Sequence, residues 1–225
     1  MAKIIFDHVT HKFSSGAVAL DDVSCTIDHG EFVFLVGPSG SGKTTFVRLL
    51  IRELLPTEGK ITLDGEEISQ KRGVSVPKLR RKIGVAFQDV KLLGDRTVKE
   101  NIAMALEILG KKKEDIEKSV DAALDLVGLD DVSELFPSQL SGGQLQRVGI
   151  ARAVVGDPEI IFADEPTANL DEETGWKIAS LLKEINRKGK TIILSTHNLD
   201  LVNSMGEKVL ALNKGKLKNI PKKDK

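Results

Sequence analysis

The sequence predicts an α/β protein, with a mixed and mainly parallel sheet flanked by helices and an all-helical stretch interrupting the core. Three observations predict it. Glu31-Phe32-Val33-Phe34-Leu35-Val36 is almost wholly apolar and runs into a glycine-rich turn and then a helical segment. A strand covered on both faces reads this way, because neither side of its pleat meets water. A second apolar run, Ile160-Ile161-Phe162-Ala163, ends in two acids, Asp164 and Glu165. Between about 88 and 136 the period changes. Val98, Ile102, Ala105, Leu106 and Leu109, then Val120, Ala123, Leu124 and Val127, recur at helical spacing, with breaks at Gly110 and Gly128.

The elements follow in order. Ile4 to Val9 and Ala17 to Ile27 read as strands, the second interrupted at Asp21-Asp22. After the strand at 31–36, a helix is expected from Lys43 to about Leu54, closed by Pro56. Lys60 to Leu63 and Ile83 to Phe87 read as strands. Beyond the helical stretch come a helix over Gly142 to Val155, a strand over Glu159 to Ala163, a helix over Glu172 to Arg187 and a strand over Thr191 to Ser195. Lys208 to Leu212 is the last strand expected, and the chain should stop soon after it without a regulatory domain or a fused membrane span. Lys214 to Lys225 holds six Lys and one Asp, and is expected to be a frayed, solvated tail, with attraction to anionic lipid as the alternative.

A chain of 225 residues suits one large domain, and a hydrophobic content of 40% is enough for a core without a metal or disulfide staple. The lone Cys25 has no partner for an internal disulfide and suits a reducing compartment. Formal net charge is +0, so nucleic acid has no global electrostatic attraction to this chain. No apolar run approaches the ~20 residues that span a bilayer. The opening Met1 to Asp7 meets an acid too early for a signal peptide. A cytosolic protein is expected, with any membrane role supplied by a partner.

Gly37-Pro38-Ser39-Gly40-Ser41-Gly42-Lys43-Thr44 fits G-x-x-x-x-G-K-S/T, between a buried strand and a helix. Glycines there let backbone N–H groups turn inward around phosphate oxygens, and the helix start adds positive potential. Lys43 would reach the β and γ phosphates and the Thr44 hydroxyl would ligate Mg²⁺. Nucleotide contacts are expected from Gly37 through Thr45. Asp164, at the tip of its strand, would complete the Mg²⁺ site, and Glu165 would polarise the attacking water as general base. A solvated acidic turn is the simpler reading of two acids alone, but not of two acids paired with a phosphate loop.

Leu140-Ser141-Gly142-Gly143-Gln144 is first of all a capping box, with Ser141 and Gln144 closing the start of a helix. The same helix end, with two glycines, offers N–H donors and a hydroxyl to a phosphate. One nucleotide does not need two such cradles from one chain. The second cradle therefore serves a nucleotide held by a second copy.

On these residues the chain resembles ATP-binding cassette ATPases from end to end. The resemblance implies a P-loop core with an N-terminal antiparallel β-subdomain, residues 1–87 and 157–225, and an inserted helical subdomain over about 88–156. It implies a head-to-tail homodimer with two ATP at the interface, where Ser141, Gly142, Gly143 and Gln144 meet the γ-phosphate held by the opposite phosphate loop. Gln88 matches the family's glutamine loop, which senses Mg²⁺ and water and faces a membrane partner. Asn169-Leu170-Asp171 matches the loop that crosses the dimer interface, and His197 matches the switch histidine that contacts γ-phosphate and orients Glu165. Taken singly, Gln88 reads as a surface polar residue, Asp171 as a helix N-cap and His197 as a turn residue. The family usually stacks a Tyr on adenine; this chain has no Tyr, and Phe13 stands at that place.

Phe87 to Ala103, Phe136 to Leu140 with Arg147 to Ala153, and Ala163 to Asp171 are similar to the FtsE-type, cell-division branch of the family, which more often has Gly at position 168. They are shared less closely with lipoprotein-release and macrolide-efflux ATPases. That resemblance implies an FtsX-like integral membrane partner, a place on the cytoplasmic face of the membrane, and control of peptidoglycan hydrolysis. The transport ATPases are the alternative.

Overall fold

The apolar strand forms as β3 (Phe32–Val36) in the interior of a six-stranded sheet. Its neighbours are β6 (Ile83–Ala86), β7 (Ile160–Asp164), β8 (Thr191–Thr196), β9 (Lys208–Asn213) and β10 (Lys216–Ile220), in the order β10-β9-β3-β8-β7-β6. The computed structural model describes residues 3–70, 72–168 and 170–220. β9, β3, β8, β7 and β6 run parallel, and β10 closes the edge antiparallel to β9. Alternation within β3 explains its composition. Phe32, Phe34 and Val36 enter one core, while Val33 and Leu35 enter the other.

The second sheet is antiparallel, β2-β1-β4-β5, from β1 (Ile4–Lys12), β2 (Val18–Ile27), β4 (Glu58–Leu63) and β5 (Glu66–Glu67). Between the sheets lies α1 (Lys43–Leu50), whose Phe46 stacks on Phe6 with ring centroids 4.1 Å apart. On the opposite face of the main sheet sit α3 (Val98–Ile108), α4 (Lys113–Val127), α5 (Gly142–Val154) and α6 (Glu172–Arg187). Thr97 starts α3 with a reciprocal capping box to Glu100, and Gly128 ends α4 at φ 63°, a left-handed turn that costs glycine little. Two short helices, α2 (Val76–Arg81) and α7 (Leu199–Met205), complete the set. No helix among the described residues is long and apolar enough to cross a membrane.

Three expectations change. β2 runs through Asp21-Asp22 without interruption; Asp22 takes φ 52° and the register shift beside it absorbs the irregularity as a bulge. α1 stops at Leu50 and not at about Leu54, because Arg52 turns left-handed at φ 55° and Glu53 N returns to Arg48 O. The tail is not wholly frayed. Residues 216–220 form β10, held to β9 by main-chain pairing and to the core by Leu217, while 221–225 lie outside the described residues. Asn169, expected in the interface loop, also lies outside them.

Candidate functional site

Four parallel strands end side by side, and each delivers one part of the site. The glycine-rich turn follows β3, Gln88 follows β6, Asp164 and Glu165 end β7, and His197 follows β8. Ligands of open α/β sheets bind beyond such carboxyl ends. A cavity of about 670 Å³ opens there, and Pro38, Ser39, Gly40, Ser41, Gly42, Lys43, Thr44, Thr45, Gln88, Asp164, Glu165 and His197 all line it. Phe13, half-exposed, forms part of its wall beside Val18 and stands edge-on to His11 with ring centroids 4.9 Å apart.

The turn is shaped to receive an anion. Gly42 sits at φ 112°, and a Cβ there would come within 2.5 Å of Ala19 O, so only glycine fits. Gly37 is outside the cavity lining and is equally constrained, since a Cβ would strike Leu212 O and Ser41 Oγ. No side chain caps α1, so its first amides stay available at the positive end of the helix. Ser41 Oγ is buried without a hydrogen-bond partner in the same turn. Lys43 Nζ, 8% exposed, donates to Gly37 O at 2.6 Å and to Pro38 O at 3.3 Å. It also pairs with Glu165 Oε1 at 3.2 Å.

Glu165 follows β7 at φ 47°, a left-handed conformation uncommon outside glycine, and lines the same cavity as Asp164. His197 Nδ1 lies 3.0 Å from its other oxygen, Oε2. Asp164 is buried, and burial pushes its carboxyl upward against the opposing hydrogen bond from Ser195. That bond, Ser195 Oγ donating to Asp164 Oδ1 at 2.6 Å, was not anticipated from the sequence. Ser195 Oγ also accepts from Glu165 N at 2.9 Å, so one fully buried hydroxyl orients both acids. The available signal was a hydroxyl directly following the apolar run Ile192-Ile193-Leu194 in a fully buried strand.

The other predicted residues are elsewhere. Ser141, Gly142, Gly143, Gln144 and Asp171 do not line this cavity. The capping box at Ser141 forms as expected: Gln144 N donates to Ser141 Oγ at 3.3 Å and Ser141 N donates to Gln144 Oε1 at 2.8 Å. Gly143 lies against α6, where a Cβ would come 2.7 Å from Thr174 Cγ2. Asp171 is the N-cap of α6, accepting from Thr174 N at 2.8 Å, and that bond holds its carboxyl below the ordinary value.

The family model described as "ABC transporter" matches residues 20–168, about two-thirds of the chain. The chain is 48% identical over 215 residues to the cell division ATP-binding protein FtsE of Mycobacterium tuberculosis, covering 95% of this chain and 94% of that one. It is 45% identical over 214 residues to the protein of that name from Escherichia coli K12, with 95% and 96% covered. Among solved structures it superposes with a TM-score of 0.88, at 36% identity, on an ATP-binding cassette solved as a dimer in a post-hydrolysis state bound to ADP and Pi. That match covers 97% of this chain and 98% of the other. A turn built for phosphate at the carboxyl edge of the sheet, with relatives matched over nearly its whole length, means that this chain belongs to the ABC transporter family and is one of its ATP-hydrolysing cassettes.

Proposed function

We propose that two copies of this chain bind head to tail around two MgATP, and that closing and reopening of the pair moves an FtsX-like integral membrane partner in cell division. One observation carries the dimer. Within one chain, the helix end at Ser141 is separate from the cavity that gathers Lys43, Thr44, Asp164, Glu165 and His197. A second copy brings it opposite a phosphate. The dimeric solved relative and the cell-division relatives support the reading.

Each residue has a physical task. The 37–45 turn wraps the phosphates with main-chain N–H groups, and Lys43 exchanges its bonds to Gly37 O and Glu165 for bonds to phosphate oxygens. Phe13 offers a ring face to the base. Thr44 hydroxyl, Gln88 carboxamide and Asp164 carboxylate face one cavity, an all-oxygen donor set that suits Mg²⁺. When bound, the ion neutralises charge building on the phosphate oxygens. Glu165 takes the role of general base, held by His197. The γ-phosphate then satisfies donors from both copies, and its loss on hydrolysis removes that bridge.

Partner docking falls to the helical side. Ala105 and Ile108 of α3 line a groove of about 510 Å³ with Pro77 of α2, and Ile108 is 76% exposed. An apolar edge of this kind fits a helix from an FtsX-like partner. The membrane-face location follows from that docking.

A mixing experiment tests the composite site. Lys43→Ala and Ser141→Arg each damage both sites of their own homodimer. In a mixed dimer one site keeps Lys43 from one copy and Ser141 from the other, while the remaining site carries both defects. Mixing two inactive preparations should therefore restore ATPase activity. Absence of any recovery, with mixed dimers confirmed by mass, would sink the head-to-tail reading.

A further inference from the structure

The segment carrying Gln88 has almost no main-chain support. Residues 87–92 belong to no helix or strand. Among the described residues their N–H and C=O groups form no main-chain hydrogen bonds with each other or with other segments. Side chains of α5 hold them instead. Gln146 Nε2 donates to Gln88 O at 3.0 Å. Arg152 donates through Nη2 to Val90 O and through Nη1 to Lys91 O at 3.2 Å.

Gln146, Gly149 and Arg152 recur at i, i+3 and i+6, which places them along one face of α5. Gly149 is the gap into which Val90 fits, since a Cβ there would come 2.8 Å from Val90 Cγ1. Lys91 takes φ 44°, a left-handed conformation that persists in a non-glycine residue when its surroundings hold it. Arg152 on its carbonyl is that hold. Gln146 is buried, so its donor has no ready exchange with water, and losing it leaves Gln88 O without its partner.

We propose that Gln146 and Arg152 are positioning residues for Gln88. They make 88–91 part of α5, so the helix whose start is offered to a second copy's phosphate also sets the Gln88 carboxamide in its own copy's cavity. Movement of the Ser141 end on closure then carries Gln88 with it. The proposal rests on the reading of Gln88 as a contact for Mg²⁺ and water.

The test uses full-length Gln146→Met, Arg152→Met, Arg152→Lys and Gln88→Met, with the double variant Gln88→Met/Gln146→Met. Methionine keeps the bulk of Gln146 and removes its donor. ATP turnover is measured across a Mg²⁺ titration, and amide hydrogen exchange is measured over 87–92. Because a ~1 Å displacement of a reacting group can cost ~10²-fold, Gln146→Met is expected to lower kcat ~10-fold. KM for ATP should stay within ~3-fold, and the Mg²⁺ concentration for half-maximal rate should rise. Exchange over 87–92 should quicken, because the opening of this segment becomes easier. Arg152→Lys should fall between wild type and Arg152→Met. The double variant should be no slower than Gln88→Met within ~2-fold, since nothing remains for Gln146 to position.

Wild-type turnover and exchange in Gln146→Met and Arg152→Met, with Gln88→Met impaired, overturns the proposal. So do losses that multiply in the double variant. If Gln88→Met behaves as wild type, the reading of Gln88 fails and the proposal falls with it. If Arg152→Met does not fold, the Gln146 arm decides.

Discussion

His197 Nδ1 stands 3.0 Å from Glu165 Oε2, while Lys43 Nζ stands 3.2 Å from Glu165 Oε1. The carboxylate is gripped at both oxygens, by Lys43 from the start of α1 and by His197 just after β8, with 12% of its side chain exposed. Glu165→Gln keeps this shape and removes the charge and, on the proposed reading, the base. Turnover should fall by at least ~10²-fold, while an ATP-dependent dimer persists in size-exclusion chromatography. Wild-type turnover in that variant would assign the base to another group.

Phe13 is half-exposed at the cavity wall and braced edge-on by His11. Base stacking on an aromatic face is worth about 1–3 kcal/mol. Phe13→Ala should weaken ATP binding ~10-fold, read by a fluorescent nucleotide, and leave kcat within ~3-fold. Phe13→Tyr should bind as wild type. Equal affinity in Phe13→Ala would remove Phe13 from the site.

Asp64 joins the antiparallel sheet to the main one, accepting from Lys82 Nζ at 2.6 Å and from Lys3 N at 3.0 Å. Burial alone would raise its carboxyl, but these two bonds and the charge of Lys82 outweigh burial and hold it below the ordinary carboxylate range. A carboxyl with a lowered folded pKa stabilises the fold above its unfolded value, and that contribution disappears as pH falls through the folded pKa. Asp64 sits at φ 55°, which Asn tolerates, so Asp64→Asn removes charge without straining the backbone. A pair this exposed is worth about 0.2–1 kcal/mol. At pH 7 the variant should melt ~1–3 °C below wild type. The gap should close in acid and narrow in high salt. A gap that is independent of pH would mean the charge contributes nothing.

Gly84 lies in β6 where the last turn of α5 crosses, and a Cβ there would collide with Ala153 O. Overpacking of this kind costs about 1–3 kcal/mol. Gly84→Ala should lower Tm by several degrees, at roughly 2–4 °C per kcal/mol for a chain of this size. An unchanged Tm would show that α5 can shift away from β6 at no cost.

Much of the fold was legible because local chemistry wrote it. The two-sided burial of β3 appears as an unbroken apolar run, and the helices of 98–127 appear as a period near 3.6. The 37–44 turn and the Ser141 cap are contiguous and demand particular residues, so their chemistry shows without coordinates. β10 was hidden because Lys216-Leu217-Lys218 carries one apolar residue, and its pairing with β9 is made by the main chain, which any sequence can supply.

By itself the sequence determined the buried central strands, the phosphate turn, the paired acids and the family, since each is encoded in neighbouring residues. Only the tertiary structure decided that one Ser195 hydroxyl orients Asp164 from 31 positions away. It also decided that Gln146 holds Gln88 across 58 positions, and that the Ser141 helix end stays apart from the cavity gathering Lys43 and Glu165. Such contacts have no period and no fixed spacing. They exist because parallel strands bring their carboxyl ends together while α5 packs on the opposite face of the sheet from α1, and chain order records neither.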